Sequence, residues 1–484
     1  MSILQELTPK TEYFEDFLHD ASNYRGYGNA VYFPADYREL ARIVKELYEE
    51  GTKFTISGAR TGLTGGCVPE GGVVISTEKM SHIIEFDSEA RTVSCEPGVL
   101  LYDLQKFLRE KGFFFPSDPT ETFCTVGGVV SNNSSGARSF RYGAARNYVK
   151  TLFITLSNGD FFKLKRGECT ERNGFFTFRV QGKTFNLRAP RLKTPGTKNA
   201  AGYFCRPGSD LVDLFTGSEG TLGIISRVKL EVLPLPEKLI SCVVFFRRLS
   251  EALGFAALLR NTPKDEGVRA IEFFDENALN FLKNDFPNTP EGNAAAVWFE
   301  VETNYDNFDA DLLRWSDRIT EGGAELEEVW YPADEAGIEE IKKFRHAISA
   351  RVNEYIAKHG LRKLGTDTAV PPQHFDDYYR WAVSLVEEAG LNYVAYGHFG
   401  DCHLHLNMLP KDDDEYAKGK AIYFELCKRA VELEGTVSAE HGIGKLKKEY
   451  LKLMYGPQGV EEMKRVKRYL DSKNLLNAGN LFDL

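Results

Sequence analysis

Four of the nine histidines of this chain fall between positions 398 and 441, in the segments YGHFGDCHLHLN and SAEHGIG. If Cys402 to Met408 is extended, His403, His405 and Asn407 share one face, because side chains alternate along a strand, and the preceding GHFGD turn can bring His398 to the same point. Neutral imidazoles joined by one carboxylate suit zinc or a similar divalent ion, and manganese and iron accept the same donors. The alternative is a set of core or surface histidines, but packing alone seldom selects an HxH pattern with a third histidine beside it.

A second set of residues could hold a ligand by its backbone. Ser57, Gly58, Ala59, Arg60, Thr61, Gly62, Leu63, Thr64, Gly65 and Gly66 follow an apolar run at Phe54 to Ile56 and keep side chains small over ten positions. Successive N–H groups in such turns form concave anion sites that suit the pyrophosphate of a dinucleotide. A mobile surface loop would look the same from this stretch alone. The spacing is not GxGxxG, and the strand-loop-helix spacing of a Rossmann unit is missing. Thr125 to Tyr148 adds Gly127, Gly128, Ser131, Asn132, Asn133, Ser134, Gly136 and Gly143, and GSEGTLGI at Gly217 to Ile224 makes a third loop. Several such loops in one chain favour one extended ligand.

These groups need elements to position them. Leu40, Ile43, Val44 and Leu47 recur at i, i+3, i+4, i+7 and predict a helix between Asp36 and Lys53; Leu101, Leu104 and Leu108 predict a second. Alternating runs around His82 to Phe86 and Thr92 to Cys95 read as strands, with hairpins. Residues 160–200 are basic, aromatic and irregular in pattern. A boundary is expected near Pro234 to Lys238, followed by strand-like runs such as Ala295 to Val301 among amphipathic helices, an α+β pattern. Three segments result: 1–235, 236–430, and a tail, 431–484, that packs back on the first.

Bulk properties bound the function. A chain of 484 residues is too long for one core and has room for a cofactor domain and a substrate domain. A net charge of -10 and the lack of a clustered basic stretch exclude nucleic acid as an expected partner. The eight cysteines contain no CxxC pair, so any iron–sulfur relay is expected to come from another protein. The start, MSILQELTPKTEYFEDFL, lacks the order of a secretory signal, and no apolar run approaches 18 residues. The expectation is a cytoplasmic protein, touching the inner membrane face at most through a partner.

The three glycine loops in order, with GHFGDCHLH and SAEHG, resemble the vanillyl-alcohol oxidase and p-cresol methylhydroxylase superfamily of FAD-linked oxidases. Within it the chain is similar to the D-lactate dehydrogenases, glycolate oxidase flavoprotein subunits and D-2-hydroxyglutarate dehydrogenases. The resemblance runs from about Phe33 to the C-terminus. It implies an α+β fold: a PCMH-type FAD-binding domain, a ferredoxin-like substrate cap, and a C-terminal helical segment. It assigns FAD to Ser57, Gly58, Ala59, Arg60, Thr61, Gly62, Leu63, Thr64, Pro119, Thr120, Thr125, Gly127, Gly128, Ser131, Asn132, Gly136, Ala137, Tyr142, Gly143, Glu219, Thr221, Gly223, Ile224 and Asn480. Some members attach FAD to a histidine near the place of Arg60 and Thr61; with none here, the flavin is expected to be non-covalent, and Arg60, where the loop more commonly has glycine, either pairs with the pyrophosphate, the preferred reading, or points to solvent.

The resemblance also assigns a divalent metal to His398, His405 and Glu440, the catalytic base to His441, and the substrate carboxylate to Arg345. Cys402 and His403 stand where the family more often has glycine and asparagine. The implied reaction oxidises a small D-2-hydroxy acid: hydride goes to flavin N5, while the hydroxyl proton needs a base and a Lewis acid because its own pKa is far too high. D-lactate is the first expectation, then glycolate or D-2-hydroxyglutarate. Dehydrogenases of the last acid carry a lysine shortly before their DxxxP segment, and in RKLGTDTAVP the position at that spacing is Gly365, with Lys363 two residues off. Ser349 and Asp367 are further candidates for the pocket. Electrons are expected to leave to an electron-transfer flavoprotein, an iron–sulfur protein or quinone; a homodimer is left open. Rival readings are a non-catalytic FAD subunit of a larger oxidase, a zinc hydrolase, disfavoured by the glycine loops and the missing HExxH, and a non-redox ether-lipid synthase of the same fold. The synthases carry a run of histidines where this chain has SAEHG, so Glu440 argues against them.

Overall fold

The computed structural model describes residues 14–332 and 335–484. The first thirteen residues, part of the stretch read above for a leader, lie outside it. The chain begins with a three-stranded parallel sheet in the order Ala30–Tyr32, Val73–Ser76, Phe54–Ser57. The predicted helix forms at Tyr37–Glu50: Asp36 caps it by accepting from the N–H groups of Arg38 and Glu39, its face Leu40, Ile43, Val44 and Leu47 is buried, and Gly51 ends it at φ 74°. The second predicted helix is Leu101–Arg109, with Leu101, Leu104 and Leu108 buried.

A five-stranded antiparallel sheet follows, in the order Ile83–Asp87, Thr92–Cys95, Ile224–Glu231, Val149–Thr155, Phe161–Lys165. The stretch read as irregular contains three strands, and its last part, residues 189–200, is without helix or strand. Phe161–Lys165 edges this sheet, and Phe175–Val180 pairs with Lys183–Arg188 as a hairpin whose first strand alternates exposed and buried residues. The period-2 signal was present, but basic residues on the outer face masked it.

The larger sheet has seven strands, all antiparallel. Its order is Lys238–Phe246, Ala295–Thr303, Val268–Asp275, Tyr393–Gly397, His403–Met408, Leu364–Gly365, with Thr368–Ala369 also on His403–Met408. The helix Glu335–Lys358 lies on it through Ile341, Phe344, Ile348, Val352 and Ile356, which share a buried cluster with Phe245, Phe274 and Trp298. Between the two halves Arg138 bonds Asp118 (2.9 Å) and Glu300 (2.9 Å), and Arg269 meets the same Glu300 at 2.7 Å. The tail returns to the first sheet: the Ile56 N–H donates to Asn477 Oδ1 (2.8 Å), and Phe54 bridges Leu476. All eight cysteines are free thiols. No helix among the described residues is long and apolar enough to cross a membrane.

Candidate active site

A cavity of about 810 Å³ runs from the glycine loops to the histidine cluster. That volume lies toward the upper end of the roughly 300–1,000 Å³ usual for ligand and cofactor pockets. Its first stretch is walled by Gly58, Ala59, Arg60, Thr61, Gly62, Leu63 and Thr64, by Pro119, Thr120, Thr125, Gly127, Gly128, Ser131 and Asn132, and by Glu219, Gly223 and Ile224. Small side chains from three separate loops leave a long channel of mixed polar and apolar lining, which fits an extended dinucleotide. Thr125 caps the turn Val126–Ser131 by accepting from Gly128 N–H (3.2 Å), and a Cβ on Gly58 would lie 2.5 Å from its Oγ1, so the first two loops pack closely.

Seven of the expected cofactor residues are not on this wall, each for a reason of packing. Ser57 is fully buried at the strand end, where its carbonyl accepts from Thr77 N–H (2.9 Å). Gly136 lets two loops cross: an added Cβ would sit 1.7 Å from the Asp118 carbonyl oxygen. Ala137 is buried in the core of the larger sheet. Tyr142 offers its carbonyl to the Tyr148 hydroxyl (2.8 Å), and Gly143 ends its short helix at φ 75°. The Thr221 hydroxyl is bonded to Tyr203 (2.7 Å), and Asn480 is spent between Gly66 O (2.7 Å) and Lys445 Nζ (2.6 Å). Arg60 lines the cavity, where its Nη1 pairs with Glu78 (2.7 Å) and its guanidinium carbon lies 4.2 Å from the centre of the Phe17 ring.

At the far end the wall is Arg345, His346, Ser349, Lys363, Tyr396, His398, His405, Glu440 and His441. The strand His403–Met408 pairs its His405 with Tyr396, and the rings of His403 and His405 lie 4.2 Å apart. Gly397, at φ 150°, permits the turn that returns His398, since a Cβ there would meet the His403 carbonyl oxygen at 2.5 Å. One ligand atom each from His398, His403, His405 and Glu440 falls within 4.8 Å of the others.

The protons on these rings are set by their neighbours. His398 Nδ1 donates to Glu272 Oε1 (2.6 Å) and His405 Nδ1 to the Thr366 carbonyl (3.2 Å), since both partners can only accept. That leaves the Nε2 of His398 and of His405 facing Glu440 Oε2, at 3.2 and 3.8 Å. Two imidazole nitrogens and a carboxylate oxygen therefore converge, a donor set that fits a divalent ion and in which these three residues could hold it. Glu440 Oε1 is taken by Lys198 (2.5 Å) and Ser135 (3.2 Å). His403 is fully buried, with Nε2 3.1 Å from Asp367.

Electrostatics divide the cluster into two roles. Burial alone would depress His398, but Glu272 and Glu440 outweigh it and hold this imidazole up at about 9. Burial pushes His441 down to about 4 against the pull of Asp367, so at neutral pH it is an uncharged base. Its Nδ1 stands 3.3 Å from Asp367 Oδ2. The loop carrying both Glu440 and His441 is bent, and the two neighbouring side chains diverge, one to His398 and the other to Asp367. Asp367 is not on the wall; it is wholly buried and anchors the loop by accepting from Ser438 Oγ (2.6 Å), Lys447 Nζ (3.0 Å) and the N–H groups of Glu440 (3.1 Å) and His441 (3.0 Å). Glu219 fixes the next turn through the N–H groups of Ile443 (2.6 Å) and Gly444 (2.7 Å), and burial pushes its carboxyl up to about 7.

Sequence reasoning missed Glu272, Lys198 and His346. Arg345 donates from Nε to Glu272 Oε2 (3.2 Å) and from Nη1 to His346 Nε2 (2.8 Å), and its Nη2 makes no hydrogen bond among the described residues. Lys363, passed over because Gly365 held the expected spacing, does reach the cavity, and burial, only partly opposed by Asp367, lowers it to about 8.

The cavity thus ends on an uncharged imidazole, an arginine and a convergent set of metal-type donor atoms, an arrangement equipped for chemistry rather than for binding alone. Residues 29–165 match the FAD binding domain, and residues 235–481 match the FAD linked oxidases, C-terminal domain. The chain belongs to the FAD-linked oxidase family. Among its relatives, "D-lactate dehydrogenase" of Anaerostipes hadrus is 31% identical over 99% of this chain and 96% of that protein. "D-2-hydroxyglutarate dehydrogenase" of Stutzerimonas stutzeri is 26% identical over 96% of each. A solved structure of alkyldihydroxyacetonephosphate synthase superposes with a TM-score of 0.65 at 16% identity, covering 94% of this chain and 76% of that one, which shows a shared fold.

Proposed function

We propose that this FAD-linked oxidoreductase oxidises a small D-2-hydroxy acid to the 2-oxo acid, with D-lactate as first choice, and passes the electrons to a protein or quinone acceptor. The observation that carries this reading is the pairing, at one end of the dinucleotide channel, of an uncharged, partly buried histidine with an arginine whose Nη2 is unspent. Arg345 is held by Glu272 and His346, so its open edge is oriented to receive a carboxylate by charge-assisted hydrogen bonds. His441, with Nδ1 against Asp367, turns Nε2 to the hydroxyl and takes its proton. A divalent ion held by His398, His405 and Glu440 supplies Lewis acidity to that hydroxyl. Non-covalently bound FAD supplies the hydride acceptor.

Lys363 favours a second reading. A further cation on the wall could meet a second carboxylate, which would shift the preference to a dicarboxylate such as D-2-hydroxyglutarate. Turnover with an artificial acceptor dye, measured for D-lactate, L-lactate, glycolate and D-2-hydroxyglutarate, tests both. The first reading expects the highest kcat/KM for D-lactate. A D-2-hydroxyglutarate preference that collapses in Lys363→Met supports the second, and no turnover with any of the four refutes the assignment to 2-hydroxy acids.

A further inference from the structure

The strand Val268–Asp275 has all eight of its residues buried, and one of them, Glu272, is a carboxylate whose hydrogen bonds among the described residues come from side chains, not from backbone N–H groups. A buried charge persists only where partners compensate its desolvation. Glu300, on the neighbouring strand, is compensated by Arg138 and Arg269 and ties the two halves of the molecule together. Glu272 does no such structural duty. Its two partners among the described residues are His398 Nδ1 on Oε1 (2.6 Å) and Arg345 Nε on Oε2 (3.2 Å), and both are active-site groups on other elements.

We infer that Glu272 is a positioning residue that sets the metal-binding and carboxylate-binding halves of the site together. This rests on the function proposed above. One oxygen fixes the orientation of the His398 ring by accepting from Nδ1, so that Nε2 is the nitrogen turned to Glu440 Oε2, at 3.2 Å, and the one that would ligate a divalent ion. The other oxygen fixes the plane of the Arg345 guanidinium, whose carbon also lies 5.7 Å from the centre of the Trp298 ring, so that the opposite edge faces the cavity. Because a carboxylate is planar and stiff, moving one partner moves the other. The device therefore links occupancy of the metal site to the orientation of the arginine. A glutamine of the same shape has one accepting oxygen and can serve only one partner.

The test uses the FAD-replete full chain and three variants, Glu272→Gln, Arg345→Met and the double substitution, with two readouts. Zinc affinity is measured by competition against a chromophoric chelator, and KM and kcat for D-lactate by dye reduction. Glu272→Gln is expected to weaken zinc by roughly 10–100-fold, the usual cost of losing an outer partner of a metal-ligating histidine, and to raise KM by about tenfold through the loosened arginine. In the Arg345→Met background the KM effect of Glu272→Gln disappears while the zinc effect persists. Unchanged zinc affinity, or a Glu272→Gln protein that loses only thermal stability, overturns the inference. A wild-type protein that binds no zinc and is reduced by no 2-hydroxy acid overturns the functional reading itself and the inference with it.

Discussion

Asp367→Asn is the substitution whose cost can be worked most fully from the structure. Oδ2 of Asp367 accepts from Ser438 Oγ, Lys447 Nζ and His441 N–H, while Oδ1 accepts from Glu440 N–H and faces His403 Nε2 at 3.1 Å. Burial works against ionisation, but His441 and Lys447 overcome it and hold this carboxyl well below the usual range. An asparagine cannot satisfy both sides: whichever way its amide is turned, an NH2 faces donors, and the Lys447 ammonium loses its counter-ion. Breaking a buried pair by removing one partner costs about 3–5 kcal/mol, and one orphaned N–H adds about 1–3 kcal/mol. Of the 5–15 kcal/mol typical of a native protein, that is a large share. We expect at least about 3 kcal/mol of destabilisation in urea unfolding followed by tryptophan fluorescence at fixed FAD concentration, with part recovered in the double variant Asp367→Asn, Lys447→Met. A loss below about 1 kcal/mol would refute the claim that this carboxylate anchors the loop.

Three further outcomes follow from the same geometry. His441→Gln keeps the flavin absorbance but lowers kcat by about 10²–10⁴, the range for losing a general base; an unchanged kcat removes His441 from the chemistry. Arg345→Met raises KM for the acid by roughly 10–100-fold, from the loss of charge-assisted bonds of about 1.5–3 kcal/mol, whereas an effect on kcat alone would contradict its role in binding. Asp275 caps the helix Glu276–Leu282 by accepting from Ala278 N–H, and burial pushes its carboxyl from the ordinary 3.8 up to about 7. Between those two values the folded state keeps a proton that the unfolded chain has lost, so this group's contribution is full below the lower value and falls away as pH rises toward the upper one. Asp275→Asn preserves the cap and is expected to flatten that slope in unfolding curves taken from pH 4 to pH 8; an unaltered slope counts against the assignment.

Much of the site could be read in the sequence because its parts are close in the chain. His398, His405, Glu440 and His441 lie in two short segments, and the glycine loops announce themselves by composition. What could not be read depends on contacts across the fold. Glu272 lies 126 residues from His398, and its one local sign is a charge inside the apolar run VRAIEFFD. Counting positions does not reveal that Lys363 reaches the cavity. The space beside Gly365 is filled by Asn407, whose Oδ1 would lie 2.4 Å from an added Cβ, and the lysine two residues earlier reaches the cavity instead. Ser57, Gly136 and Thr221 share the small size of the lining residues but use it to let strands and loops pack, a distinction that composition does not carry.

The most direct test of the account is the flavin spectrum of the metal-replete protein under anaerobic conditions, before and after D-lactate, with and without prior chelation. The expected result is bleaching of the oxidised flavin band by D-lactate and not by L-lactate, lost on chelation and restored by zinc, manganese or iron. A flavin band that no 2-hydroxy acid bleaches in the metal-replete protein would contradict it.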